Sequence, residues 1–233
     1  MRCVVLKVEN ITKIYHTPNK QVRALDEVSL HVDSGEFVAV EGPSGSGKST
    51  LLLTAGSLLT PDEGQILIGG QNPYALSSDE RTKFRAEKIG FVFQQFHLIP
   101  YLSVLENILT PSILTKGENT HEEAMQLIGR FGLTERVHHV LAELSTGERQ
   151  RTALARAFIN SPNLILADEP TGNLDRENAE IVIESLVEFA NTGGSVFLVT
   201  HDASAVQYAH CILRTEGCGM IKTIITAPFF LTP

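Results

Sequence analysis

Residues Gly42, Pro43, Ser44, Gly45, Ser46, Gly47, Lys48, Ser49 and Thr50 follow the apolar run Phe37-Val38-Ala39-Val40 and precede Leu51-Leu52-Leu53. The pattern G-x-x-x-x-G-K-[ST] is met over positions 42–49, between a buried-strand pattern and a helix pattern, the context that marks a phosphate-binding loop. A phosphate chain needs a concave array of donors with no side chains in the way. Gly42, Gly45 and Gly47 can take positive φ without a Cβ penalty, turning successive N–H groups inward as an anion nest. The nest opens onto a helix N-terminus, whose unpaired N–H groups and dipole favour anions. Lys48 is expected to reach the β- and γ-phosphates and the Ser49 hydroxyl to bind Mg²⁺. A bland glycine-rich turn with a solvated lysine would not need the strand before it or the helix after it.

The rest of the chain is consistent with a large α/β protein built on that loop. At 233 residues and 42% hydrophobic content it can bury a substantial core. No run approaches the 18 or so apolar residues of a membrane span, and the first residues lead into a strand-like run, so a cytoplasmic location is expected. Cys3, Cys211 and Cys218 have no metal-ligand spacing and read as reduced. A net charge of −8 argues against a nucleic-acid partner, which wants a basic footprint.

Taken in order, residues 4–8 and 28–32 predict short strands at an antiparallel edge, joined by 65–68, with Tyr15 upstream of the loop as an aromatic able to stack on adenine or simply to pack. Ser77-x-x-Glu80 predicts a capped helix to about residue 88, followed by a strand over 89–93 that ends at Gln94-Gln95. From 96 to 160 the signals turn helical, with Ser103-x-x-Glu106 and Thr120-x-x-Glu123 as capping boxes and Gly132 as a stop. A buried strand over 163–167 runs into Asp168-Glu169, a helix covers 178–191, and a strand over 195–200 ends at His201. Polar residues at strand ends belong near a ligand in parallel α/β sheets.

Further motifs decide among phosphate-loop proteins. Asn-Lys-x-Asp, the guanine reader of GTPases, is absent. Leu144-Ser145-Thr146-Gly147-Glu148 resembles the Leu-Ser-Gly-Gly-Gln signature of ATP-binding-cassette (ABC) ATPases, Leu164 to Thr171 the family's Walker B segment, and Asn173-Leu174-Asp175 its D-loop. Gln94 looks like the Q-loop glutamine, His201 like the switch histidine and Tyr15 like the adenine-stacking aromatic. The stretches Phe91 to Pro100 and Asp168 to Asp175 are similar to the lipoprotein-release, macrolide-export and cell-division branch. Thr146 departs from the first signature glycine, and the end of the chain, with Ala227-Pro228-Phe229-Phe230-Leu231-Thr232-Pro233, departs from the family pattern.

The resemblance implies a RecA-like core with an N-terminal antiparallel β subdomain (about 1–94 and 161–233) and an inserted helical subdomain (about 95–160), together one domain. It implies two ATP sandwiched in a homodimer, with Ser145, Gly147, Glu148 and Asp175 of one copy facing the nucleotide held by residues 42–50 of the other. Asp168, Ser49 and Gln94 would hold Mg²⁺, with Gln95 a competitor for the last role. Glu169 would be the general base, with Lys48, His201 and Gln94 the other catalytic residues. An integral membrane permease encoded separately would be the partner, reached in part through Phe96, Leu98, Ile99, Tyr101 and Leu102, and the protein would sit on the inner face of the membrane. Two alternatives stand beside this reading. One is a soluble ABC ATPase of nucleic-acid maintenance or translation; the other is a weakly hydrolysing regulator, if Thr146 loosens the sandwich.

Overall fold

A computed structural model describes residues 3–18, 20–115, 120–215 and 224–225. Two long strands, β1 (Val4–Thr17) and β2 (Lys20–Asp33), open the chain as one antiparallel hairpin. The expectation was two short strands with polar material between them. That material pairs as well, because Leu6, Val8, Ile11, Leu25, Val28, Leu30 and Val32 are buried on one face while polar neighbours take the other. Register shifts at Val8/Ile11 and Lys13/Ile14 keep the alternation in step along this length.

The strand β3 (Phe37–Glu41) leads through the glycine-rich loop into helix α1 (Lys48–Ala55). Next, β4 (Glu63–Ile68) pairs with β1, completing a sheet of order β2-β1-β4. Helix α2 (Ser78–Lys88) and strand β5 (Ile89–Phe93) follow. A helical block comes next, of α3 (Val104–Leu109), α4 (Thr120–Arg130) and α5 (Thr146–Phe158) with short 3₁₀ turns between them. The chain then builds β6 (Leu164–Asp168), α6 (Arg176–Asn191), β7 (Ser195–Thr200), α7 (Ala203–Val206), β8 (Cys211–Arg214) and β9 (Ile224–Ile225).

The second sheet runs β5-β6-β7-β3-β8-β9, parallel except for the last pair. Strands β3, β6 and β7 are continuous apolar runs because both of their faces are covered. Alternate residues enter different cores. Phe37, Ala39, Ile165, Ala167, Val196 and Leu198 pack against the helical block and α6, whereas Val38, Val40, Leu164, Leu166, Phe197 and Val199 pack against α1 and the hairpin sheet. Phe93, Asp168 and Val199 are in register, as are Glu41 and Thr200, so the ends of β5, β6, β7 and β3 meet at one edge.

Ser77 and Ser103 cap their helices in reciprocal boxes with Glu80 and Glu106. Helix α4 begins at Thr120, directly after undescribed residues, and no cap is described there. Helix α6 starts two residues earlier than the expected 178–191, because Asp175 is its N-cap, and Ser145 is the N-cap of α5. Among the described residues no helix is long and apolar enough to cross a membrane. Cys3 and Cys211 are free thiols. Cys218 and the 227–233 tail lie outside the described residues.

Candidate functional site

The loop after β3 closes around a cleft of about 660 Å³, lined by Ala24, residues 43–45 and 47–50, Gln94, Asp168, Glu169 and His201. Gly45 and Gly47 have φ of 80° and 95°, the left-handed values that turn their N–H groups into a nest. Gly42 is glycine for another reason. Its φ is not positive, but a Cβ there would run into the Thr215 hydroxyl at the end of β8. Gly47 is the N-cap of α1, with no side-chain cap and no acid in the first turn, so the helix presents its first N–H groups to the cleft.

Lys48 is buried, its ammonium donating to the Gly42 and Pro43 carbonyls at 2.7 and 2.9 Å. That spans the loop and keeps the charge at its mouth. Ser46, within the loop, is buried and does not line the cleft. Tyr15 is partly exposed, its hydroxyl 3.5 Å from Thr50 Oγ1, which brings the ring to the rim.

Opposite the loop, Asp168 at the end of β6 accepts from the Ser49 hydroxyl at 3.1 Å. Burial pushes its carboxyl above the usual range, Glu169 adding to the rise, while Ser49 and Lys48 pull it down. Glu169 sits at φ 46°, a left-handed conformation that is costly for a residue carrying a Cβ. It is held there from the end of β7: its Oε2 accepts from Thr200 Oγ1 at 2.9 Å and from the His201 N–H at 3.2 Å, and its Oε1 faces His201 Nδ1 at 2.8 Å. Gln94 reaches the same cleft, its Nε2 lying 2.8 Å from where a Cβ on Gly172 would stand. Gln95 is exposed and does not line the cleft.

The turn after Gln94 is strained. Phe96 and His97 both have positive φ, at 58° and 48°, and Arg156 of α5 donates to their carbonyls at 2.7 and 2.6 Å. The apolar stretch beyond it divides: Leu98 is buried, Phe96, Ile99 and Leu102 are half-buried, and Tyr101 is 80% exposed.

Ser145, Gly147, Glu148 and Asp175 do not line this cleft. They form a second group at the start of α5. Ser145 Oγ accepts from the Glu148 N–H, and the Glu148 carboxylate accepts from the Ser145 N–H at 2.7 Å and from Arg136 Nε at 2.7 Å. Those bonds, the Ser145 backbone donor first, hold the Glu148 carboxyl down at about 2. Ser145 and Thr146 are exposed and Gly147 is buried. Sequence reasoning passed over Ser145-x-x-Glu148 as a capping box although the pattern is local. It also missed Thr200, Arg156, Thr215 and Asn178, whose roles arise only from tertiary contact.

A larger hollow of about 970 Å³ lies on the outer face of the hairpin sheet, among Lys7, Glu9, Asn10, Ser29 and Gln65. Those side chains pair with one another, Lys7 and Gln65 with Glu9 and Ser29 with Asn10, and the glycine nest and α1 open elsewhere.

Residues 25–172 match the family described as ABC transporter. The chain is 45% identical, over 205 residues, to the lipoprotein-releasing system ATP-binding protein LolD of Shewanella sp. (strain MR-4), spanning 87% of this chain and 89% of that one. It is 40% identical, over 219 residues, to the macrolide export ATP-binding/permease protein MacB of Bdellovibrio bacteriovorus (strain ATCC 15356 / DSM 50701 / NCIMB 9529 / HD100), covering 94% of this chain and 34% of that longer protein. Among solved structures, the dimeric structure of MJ0796, a bacterial ABC transporter cassette, matches with a TM-score of 0.88 at 38% identity, over 95% of this chain and 98% of that one. A dimeric post-hydrolysis state of the ATP-binding cassette MJ0796, bound to ADP and Pi, matches with a TM-score of 0.87 at 38% identity, over the same shares of the two chains.

Proposed function

The chain belongs to the ABC transporter family of ATP-binding proteins, and from that premise we propose that two copies face each other head to tail, hydrolyse two ATP and drive a separately encoded integral membrane protein of the lipoprotein-releasing or macrolide-export type. The observation that carries this reading is that the signature-like segment at the start of α5 does not share a cleft with the open glycine nest at the start of α1. The start of α1 opens among Lys48, Asp168 and Glu169, whereas the start of α5 stands apart with Ser145 and Thr146 exposed. A two-fold arrangement, in which the same pair of surfaces meets twice, brings each α5 start to the other copy's cleft. The dimeric cassette MJ0796 offers a precedent.

The residues present suit Mg²⁺. Among the described residues no three His, Cys, Asp or Glu side chains gather to hold a metal by themselves. One desolvated carboxylate, Asp168, beside the Ser49 hydroxyl and the Gln94 amide, is the kind of sparse oxygen set that Mg²⁺ shares with phosphate oxygens and water. When bound, the ion neutralises charge on the phosphates. The nest of N–H groups and Lys48 bind and orient the triphosphate, and Tyr15 at the rim meets the adenine. Glu169 accepts the proton of the attacking water, and Thr200 and the His201 backbone fix one of its oxygens so that the other, shared with the His201 ring, faces the cleft. His201 thus serves by orienting Glu169. Ser145, Gly147 and Asp175 close over the second copy's nucleotide.

Partner docking is supported by apolar groups left on the outside of the helical block, Tyr101 80% and Ile113 79% exposed, in line with a protein that works peripherally on the inner face of the membrane. The test is ATPase turnover and ATP-dependent dimerisation of the wild type and Glu169→Gln. The variant is expected to hydrolyse roughly 10²–10⁴-fold more slowly and to accumulate ATP-bound dimers. Absence of nucleotide-dependent dimers in both proteins would end the head-to-tail reading. Affinity capture from membranes then asks whether an integral membrane protein comes down.

A further inference from the structure

The side chain of Asn178, in the first turn of α6, lies against the first turn of α5. Its Nδ2 donates to both carboxylate oxygens of Asp175 at 2.9 Å, and its Oδ1 accepts from the Arg151 guanidinium of α5. Its backbone N–H also caps onto Asp175 at 2.9 Å. The amide plane so fixed is what Gly147 rests on. A Cβ at position 147 would stand 2.7 Å from Asn178 Nδ2 and nearer still to its Cγ and Oδ1. Gly147 has no positive φ, so backbone conformation does not demand glycine there.

We infer that Asn178 is a positioning residue that locks the start of α5 to Asp175 as one rigid unit, and that residue 147 must be glycine because of this contact inside a single chain. The inference rests on the reading that α5 and Asp175 together meet the nucleotide of a second copy. An amide bonded on two sides cannot rotate away to admit a methyl group without giving up Asp175 or Arg151. A side chain at 147 therefore acts first by prising Asp175 from α5, before any nucleotide is approached.

A double-mutant cycle of Gly147→Ala and Asn178→Ala tests this, because alanine at 178 removes all three atoms a Cβ at 147 would meet. The readouts are steady-state ATPase, ATP-dependent dimerisation, binding of a fluorescent ATP analogue to the monomer and thermal unfolding without nucleotide. Asn178→Ala is expected to lower kcat about fivefold while monomer nucleotide affinity stays unchanged, since residue 178 is outside the cleft. Gly147→Ala is expected to lower kcat more than tenfold and to lower the nucleotide-free melting temperature in the wild-type background, yet to leave the melting temperature unshifted in the Asn178→Ala background. Equal melting losses in both backgrounds would overturn the proposal, leaving only the approach to the second copy's nucleotide to explain the glycine. So would wild-type kcat and dimerisation in Asn178→Ala. Asn178→Ser removes the amide but keeps a γ oxygen at the start of α6, and serves as the second check on folding; if neither variant folds, the contact is a folding element and the positioning role is lost. The nucleotide-free melting arm scores the contact within one chain even if the wild type never dimerises, which separates failure of this inference from failure of the dimer reading.

Discussion

Helices α1 and α5 both begin in sequence that invites phosphate, and they begin in opposite ways. The start of α1 is a left-handed glycine with no side-chain cap, no acid in its first turn, and its own cleft in front of it. The start of α5 is sealed by the reciprocal Ser145 and Glu148 box, with the Glu148 carboxylate set against the helix dipole. Orphan N–H groups that no side chain satisfies are a standing demand for a ligand, and capped ones are not. The difference teaches that the chain leaves the first helix start open, as the proposed nucleotide site requires. The second is a preformed face, stable without nucleotide, that another surface can bring ligand to.

Four substitutions bear on that contrast. The largest effect is expected from Lys48→Ala, which removes the charge at the open end: kcat falls roughly 10²–10³-fold, on the scale of a lost electrostatic stabiliser, and nucleotide binding to the monomer weakens with it. If binding survives intact, the α1 end is not the ligand site. Ser145→Ala is expected to cost about 1 kcal/mol of stability in urea melts without nucleotide, as loss of an N-cap does. An unchanged midpoint would mean the box does not stabilise α5, and the contrast fails.

The smallest effect is a dependence on pH. Glu148 has a folded pKa of about 2, below the ordinary value of 4.5, so its contribution is fully present above about 4.5 and is lost as pH falls from there towards 2. The stability gap between wild type and Glu148→Gln, a few tenths of a kcal/mol to about 1 for a charge at a helix N-terminus, should therefore be constant at neutral pH and close through that window. Asp168, beside the α1 end, shifts the other way, since burial raises it. Its charged form opposes folding above its raised pKa, and protonation relieves this as pH falls. Melts of Asp168→Asn against wild type should show a gap that moves with pH in the opposite sense.

What could be read from the sequence was what is local. The 42–50 loop, the strand over Ile89–Phe93, the strand over Ser195–Thr200 and the Ser77 and Ser103 caps each depend on neighbours a few residues away, and periodicity or capping pattern locates them. The hairpin was only half legible. Bulges let its polar middle stay paired, and nothing in composition announces a register shift. Thr215 under Gly42, Arg156 on the strained 96–97 turn and Asn178 under Gly147 are separated from their partners by 31 or more positions, and only the packed chain joins them. Gly42 was given the wrong physical reason for the same cause: it answers to a side chain folded over from elsewhere, not to the torsions of its own backbone.

The strand that delivers the loop has one more consequence. β3 has β7 on one side and β8 on the other, so its seat is made by Ser195–Thr200 and Cys211–Arg214, which the ribosome produces long after residue 41. A nascent chain cut short before residue 195 holds every atom of the triphosphate nest and has nowhere to dock the strand beneath it. The loop thus gains its seat only once the residues of β7 and β8 have been made.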